Sequence, residues 1–424
     1  MKDWYLSNRK VNLFVNELCC PVDSYVCVDV EDDEQGNFVG IGYSYNGKDI
    51  YYTNNLSQAK TLPWESMKIF GHNIKYDFHS LVKWGIKLKA SQLEDDTQLM
   101  AYVLDSTNKK LSLKELAKEL CGIEYPTYKE MVGIGKKKVT LDKQELEDVA
   151  NYCGSDVYAT WKLREVLSSK MNDSQRIYYA EIEIPTLRIL AQMEENRVHI
   201  DTKQLTELDS VLGKLVEVQE IDYKNINLNP RSPKQVLEYL NVNGIDVPST
   251  GSDILEPYKN HPLVKELLAY REVKKLHSTY TQSLLEIPTL PWSKTNFNQC
   301  ITVTGRLSSS DPINWQNIPR SEDESLGSQI RKCISAPEGF KFVSADFSQI
   351  EYRLLAHFTQ EPILVRAFKE GKDVHDETSK MLGVDRQVGK TLNFCAIYGS
   401  HAGKIAKISS CSVDEAQDFL NVYW

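Results

Sequence analysis

The chain has 424 residues, with 50 Lys and Arg against 59 Asp and Glu for a formal net charge of −9, and 41% of its side chains are hydrophobic. That length exceeds one ordinary hydrophobic core, so two or three domains are expected, and no apolar run reaches the roughly 18 residues of a membrane span. The acidic balance sets the chain apart from strongly basic nucleic-acid binders, although carboxylates that hold metals count in that total. The local clusters Lys136-Lys137-Lys138 and Lys274-Lys275 can face a phosphate backbone or simply solvent. The opening MKDWYLSNRK lacks a secretory pattern. Nine cysteines form no CxxC pair, so a reducing cytoplasm without zinc, disulfides or a membrane partner is expected.

In chain order, residues 25–31 alternate, with Val26, Val28 and Val30 on one face, and strand-like runs follow at 38–45 and 50–53. These predict a mainly antiparallel sheet. Helical patterns at 76–84, 97–104, 113–120 and 145–167 complete an α/β amino-terminal domain, residues 1–172, with the polar stretch 170–175 as its boundary. Amphipathic runs at 177–195, 202–218, 233–243 and 263–285 predict a mostly helical region. Beyond Pro291 come strand and turn signals, a strand at 341–346, and helices to the end.

Asp29 and Glu31 lie two apart on the first of these strands, so both carboxylates leave the face opposite the valines. Two acids on one face repel unless hard cations lie between them. An isolated DxE is equally the polar outer face of a half-exposed strand. In Gly71-His-Asn-Ile-Lys-Tyr-Asp77 a third acid stands at a strand-to-helix junction, where it also suits a helix dipole. Tyr152 and Asp156 are four apart on one helix face.

Taken in order, DxE, NxxYD and YxxxD resemble the three exonuclease motifs of the 3'-to-5' proofreading family. The resemblance implies a ribonuclease H-like domain in which Asp29, Glu31, Asp77 and Asp156 hold two divalent ions, Mg2+ or Mn2+, and Tyr152 orients the attacking water. Val30 stands where that family commonly has threonine, on the face away from the acids.

Further along, the string SADFSQIEYRLLAH puts Asp346 at the end of the expected strand and Glu351 on the helix after it, with Ser348 and Glu351 at capping-box spacing. Arg386, Lys390 and Phe394 recur at spacings of four on another helix, closed by Tyr398 and Gly399. An amphipathic helix alone would account for that spacing, while two cations and an aromatic also suit a triphosphate and a base. These strings resemble motifs A and B of the family A, polymerase I type, DNA polymerases. The resemblance implies that Asp346 binds both catalytic metals and that Glu351 crowds the ribose 2'-hydroxyl. It further implies that Arg386, Lys390 and His375 hold the incoming triphosphate, and that Phe394 and Tyr398 flank the base. Two more strings match: Thr304-Gly-Arg306 implies a primer contact for Arg306, and the segment from Lys274-Lys275 implies a grip on duplex DNA.

On this reading residues 173–290 are a helical thumb, 291–361 a partial palm with motif A, and 362–424 partial fingers with motif B of a right-hand polymerase. The family's second palm aspartate lies in a His-Asp-Glu turn downstream of motif B. His375-Asp376-Glu377 lies upstream of motif B and opens a helix, so it is not that turn. Ser412 and Glu415 mark a last helix by capping-box spacing. The expectation is therefore an exonuclease joined to an incomplete polymerase, working on primer-template and deoxynucleoside triphosphates once a separate polypeptide supplies motif C. A noncatalytic primer-template binding subunit and a standalone 3'-to-5' exonuclease are the alternatives.

Overall fold

The computed structural model describes residues 4–6, 9–135, 138–319, 325–409 and 411–423, so Lys136, Lys137 and Trp424 lie outside the described residues. Residues 1–341 form one compact unit and 342–424 a second.

The first unit begins with a seven-stranded sheet: β1 (Trp4–Leu6), β2 (Arg9–Val15), β3 (Tyr25–Asp32), β4 (Phe38–Ser44), β5 (Asp49–Thr53), β6 (Lys68–Gly71) and β7 (Leu93–Asp96), in the order β1-β2-β5-β4-β3-β6-β7. The sheet is mixed rather than mainly antiparallel. The β1–β2, β3–β4 and β4–β5 pairs are antiparallel, while β2–β5, β3–β6 and β6–β7 are parallel. Alternation reports which side chains share a face but not the direction of the neighbouring strand. Here α1 (Ile74–Lys83) carries the chain from β6 back to the end where β7 begins.

Each face of the sheet has its own core, as period-2 geometry requires. Val26, Val28 and Val30 join Ile41, Ile69, Phe78 and Leu81 on one side. Cys27 and Phe70 pack with Val157 and Tyr158 on the other. Asp96 organises one edge: its carboxylate accepts from Ile74 N at 2.9 Å at the start of α1 and from Gln98 N at 2.8 Å at the start of α2 (Thr97–Leu104). One buried acid thus satisfies donors at the amino ends of two helices. The helical stretch starting α3 (Leu113–Leu116) and the long α4 (Leu146–Lys170) close the opposite face.

Residues 179–191, leading through α5 (Ile184–Asn196), place Tyr179, Ile184, Leu187 and Ala191 in the core of the sheet. Next, α6 (Thr202–Asn225) packs Leu205, Leu208 and Leu212 against Leu276, Tyr280 and Leu284. A smaller core joins α7 (Pro233–Val242) to α8 (Pro262–Lys275) through Val236, Leu240, Val264 and Leu267. Short strand pairs β8–β9 (Val198–His199, Trp292–Ser293) and β10–β11 (Asn296–Asn298, Ser308–Ser310) follow.

The second unit is helical: α9 (Ile350–Thr359), α10 (Pro362–Lys369), α11 (Val374–Leu382), α12 (Arg386–Ile397), α13 (Ala402–Ser409) and α14 (Val413–Tyr423). The strand expected at 341–346 does not form, and the segment has no regular structure. A strand needs a neighbour for its backbone groups, and Val343 is 90% exposed. The helix that follows does not start from Ser348 as its capping residue. The residue before α9 is Gln349, at φ 51°, with no side-chain cap. The box at Ser412 and Glu415 is present: Ser412 N donates to Glu415 Oε2 at 2.8 Å and Glu415 N to Ser412 Oγ at 3.2 Å.

Candidate active sites

The three acidic motifs converge around β3. Asp29 and Glu31 leave the face opposite the valines, and Gly42 and Gly40 of β4 stand directly opposite them in register. The absence of a side chain at Gly42 lets α4 come close, and that at Gly40 leaves room for the Tyr52 ring. Cys153 Sγ sits above Gly42 and donates to Asp29 Oδ2 at 3.4 Å and to its carbonyl oxygen at 3.5 Å. Asp77, in the first turn of α1, is pinned to the same strand because its Oδ1 accepts from Val30 N at 2.9 Å. On α4, Asp156 accepts from Tyr125 Oη at 2.5 Å and from the Lys114 ammonium. That ammonium lies 4.2 Å from the Tyr125 ring centroid and 4.3 Å from that of Tyr152.

The electrostatics follow from burial. Desolvation and then the nearby Asp156 push Asp29 well above the usual carboxylate range, and desolvation and then Asp29 do the same to Glu31. Asp77 is raised by burial and then by Asp29. Carboxylates packed this way cannot all ionise unless cations join them. Donor atoms of Asp29, Glu31 and Cys153 lie within 4.8 Å of one another. The two carboxylates are hard oxygen donors suited to Mg2+ or Mn2+, while burial raises the Cys153 thiol and keeps it neutral. A divalent ion therefore fits this site. Burial also raises the Tyr152 hydroxyl, which stays a donor.

In the second unit four of the expected residues meet. Tyr398 Oη donates to Glu351 Oε1 at 2.7 Å. The buried His375 ring stands 5.7 Å from Phe394, Phe394 stacks on Tyr398 at 6.4 Å, and Asn393 Nδ2 lies 3.0 Å from His375 Nδ1. Arg386 instead bridges Asp373 and Asp376 at 2.6 and 2.9 Å. Among the described residues neither Asp346, on the irregular segment before α9, nor Lys390 is hydrogen-bonded to that cluster. His375-Asp376-Glu377 occupies the first turns of α11.

In the first unit, Lys274 and Lys275 end α8, Lys274 standing 3.8 Å from Glu220. Arg306 lies in the loop between β10 and β11, where its carbonyl accepts from Thr302 Oγ1.

Sequence reasoning missed Lys114, Tyr125 and Cys153. It also missed a buried ionic hub at Glu194, whose carboxylate accepts from Lys75, from His79 Nε2 at 2.6 Å and from Phe297 N at 2.6 Å. Lys114 is one lysine among many in an amphipathic run, so no pattern distinguishes it. The alternating Gly40 and Gly42 on a strand were a signal of close approach.

A family model described as DNA polymerase family A matches residues 199–424, and one described as 3'-5' exonuclease matches residues 41–172. The DNA polymerase I of Synechocystis sp. is 35% identical over 377 residues, 83% of this chain and 37% of the relative. That of Borreliella burgdorferi is 31% identical over 441 residues, 94% of this chain and 48% of the relative. The chain thus spans less than half the length of either. A solved structure described as the POL domain of Pol1 from M. smegmatis, in complex with DNA primer-template and dNTP, shares the fold at a TM-score of 0.74 and 24% identity, covering 94% of this chain and 71% of that one. No helix among the described residues is long and apolar enough to cross a membrane.

Proposed function

Because the chain belongs to DNA polymerase family A, we propose that it removes nucleotides from DNA 3' ends at the β3–α1–α4 site and supplies motifs A and B to template-directed DNA synthesis. The observation that carries the nuclease reading is the packing of Asp29, Glu31, Asp77 and Asp156 so closely that burial and mutual repulsion raise the first three. Such a set is stable in its ionised form only with cations bound. Two divalent ions, Mg2+ or Mn2+, are the expected occupants. When bound they would activate a water and neutralise charge on the leaving oxygen. Asp29 and Glu31 would hold them from the strand, Asp77 and Asp156 from the two helices. The Tyr152 hydroxyl, kept protonated by burial, orients the attacking water.

For synthesis, Asp346 is the motif A metal ligand, and Arg386, Lys390 and His375 take the triphosphate. Phe394 and Tyr398 flank the base, while Arg306, Lys274 and Lys275 hold primer and duplex. Glu351, pinned by Tyr398, excludes a ribose 2'-hydroxyl. Deoxynucleoside triphosphates and primer-template are the substrates. Nine free cysteines suit a reducing cytoplasm.

The test is digestion of 3'-labelled single-stranded DNA with Mg2+ or Mn2+. The unsubstituted chain is expected to degrade it and EDTA to stop it, whereas Asp29→Ala with Glu31→Ala should abolish the activity. Unchanged digestion by the double variant would overturn the assignment.

A further inference from the structure

Behind the residues assigned to the triphosphate lies a buried polar chain. Gly389 of α12 brings that helix close to α11, since a Cβ there would lie 3.0 Å from both the His375 carbonyl oxygen and Ser379 Cβ. One turn further along, on the same helix face, the fully buried Asn393 reaches the His375 ring, its Nδ2 standing 3.0 Å from Nδ1. The other end of the amide is held as well: Asn393 Oδ1 accepts from Thr378 Oγ1 at 3.0 Å, and Thr378 too is buried. The Tyr352 and Phe394 rings enclose the imidazole at 5.4 and 5.7 Å. Burial first, with the nearby Arg386 and Lys390 adding to it, holds His375 below the ordinary histidine range against the opposing effect of Asp373 and Asp376. A neutral imidazole carries a single N–H. An amide donor facing Nδ1 requires a lone pair there, so that proton sits on Nε2. Among the described residues no hydrogen bond reaches His375 Nε2.

We propose that Asn393 is a positioning residue that fixes the tautomer of His375, with Thr378 fixing the amide, so that the imidazole offers its Nε2–H to an oxygen of the incoming triphosphate. The reversed amide would accept from Nδ1–H and leave a lone pair on Nε2, which repels an anionic oxygen. A fully buried amide in a helix core is costly unless it is bonded, and here both of its ends are bonded along one line that leads to the nucleotide. Held this way, His375 donates to the triphosphate without a charge of its own, while Arg386 and Lys390 supply the positive charge. This inference rests on the reading that His375 takes the triphosphate.

Proton–nitrogen correlation spectra of the full chain, isotopically labelled at its histidine nitrogens, test it at neutral pH. His375→Gln identifies the signals of His375 among the eight histidines. The expected ring is neutral, with the proton on Nε2 and Nδ1 bare. Asn393→Asp keeps the shape but accepts where asparagine donates, so it should put a proton on Nδ1. The second measurement is the affinity of the same proteins for Mg2+-dATP by equilibrium dialysis. Asn393→Leu should weaken it about fivefold and His375→Gln about tenfold, on the order of one hydrogen bond to a charged group. The double variant should bind no more weakly than His375→Gln, because both changes remove one contact. A parent ring protonated on Nδ1 overturns the proposal, and that result needs no Asn393 variant to fold. An Nδ1 signal that Asn393→Asp leaves unmoved, or strictly additive losses of affinity, overturns it equally. His375→Gln with undiminished affinity sinks the triphosphate reading itself, whereas weakened binding by His375→Gln beside an Nδ1-protonated parent sinks only the role of Asn393.

Discussion

Substituting alanine for Gly42 tests whether the close approach of α4 to β4 builds the nuclease site. Gly42 lies mid-strand and outside the positive-φ region, so alanine is tolerated by the backbone. Its added Cβ, however, would lie 2.7 Å from Cys153 Sγ and 3.1 Å from Val157 Cγ2. Both neighbours are fully buried on α4, so the helix must move outward. Overpacking of this kind costs about 1–3 kcal/mol. Tyr152 and Asp156 ride on the same helix, and a misplacement on the order of 1 Å at a reacting site costs about a hundredfold in rate. We expect Gly42→Ala to lower urea stability by that amount and to slow release of a 3' label about ten- to a hundredfold. Cys153→Ala removes the obstructing sulfur, so the double variant should be more stable than the sum of the single effects, by about 1 kcal/mol. Strict additivity would refute the packing account. A destabilised Gly42→Ala protein with an unchanged digestion rate would refute the link between packing and site.

Other substitutions probe separate parts of the molecule. Glu194→Ala leaves the buried Lys75 without its carboxylate and should cost about 3–5 kcal/mol in chemical denaturation; a loss below about 1 kcal/mol would show that the hub is not a stabilising ion pair. Asp373 is depressed to about 2, since its bonds to Arg386 and to the α11 amides outweigh the opposing effect of burial. Its contribution to stability is therefore fully present above the ordinary carboxylate pKa of about 4 and disappears as pH falls through about 2. Asp373→Asn should flatten that acid limb in a helicity titration, and an unaltered limb would count against it. Tyr398→Phe frees the Glu351 carboxylate from its hydroxyl partner. In template-directed synthesis it should raise ribonucleotide incorporation severalfold, and Glu351→Ala should raise it further. Equal discrimination in all three proteins would dismiss the steric role of Glu351.

Local order was legible in the residues themselves. The period-2 alternation of Val26, Val28 and Val30 placed Asp29 and Glu31 on one face, and the i,i+4 spacing of Tyr152 and Asp156 placed both on one side of α4, because these relations depend only on backbone geometry. The Ser412–Glu415 box was legible for the same reason, whereas the equally spaced Ser348 is not the residue from which α9 starts. There the backbone enters α9 through a left-handed Gln349, and Glu351 turns to Tyr398, a partner 47 positions away. Strand direction was likewise hidden: the alternation of β3 is the same whether its neighbour is the antiparallel β4 or the parallel β6. What the tertiary structure alone decided is which side chains from distant elements meet. Lys114 reaches Asp156 across 42 positions and Lys75 reaches Glu194 across 119, and neither pairing leaves a periodic trace. A buried charge is satisfied by whatever opposite charge the packing brings within reach, so its partner is a property of the assembled core and of no local stretch of chain.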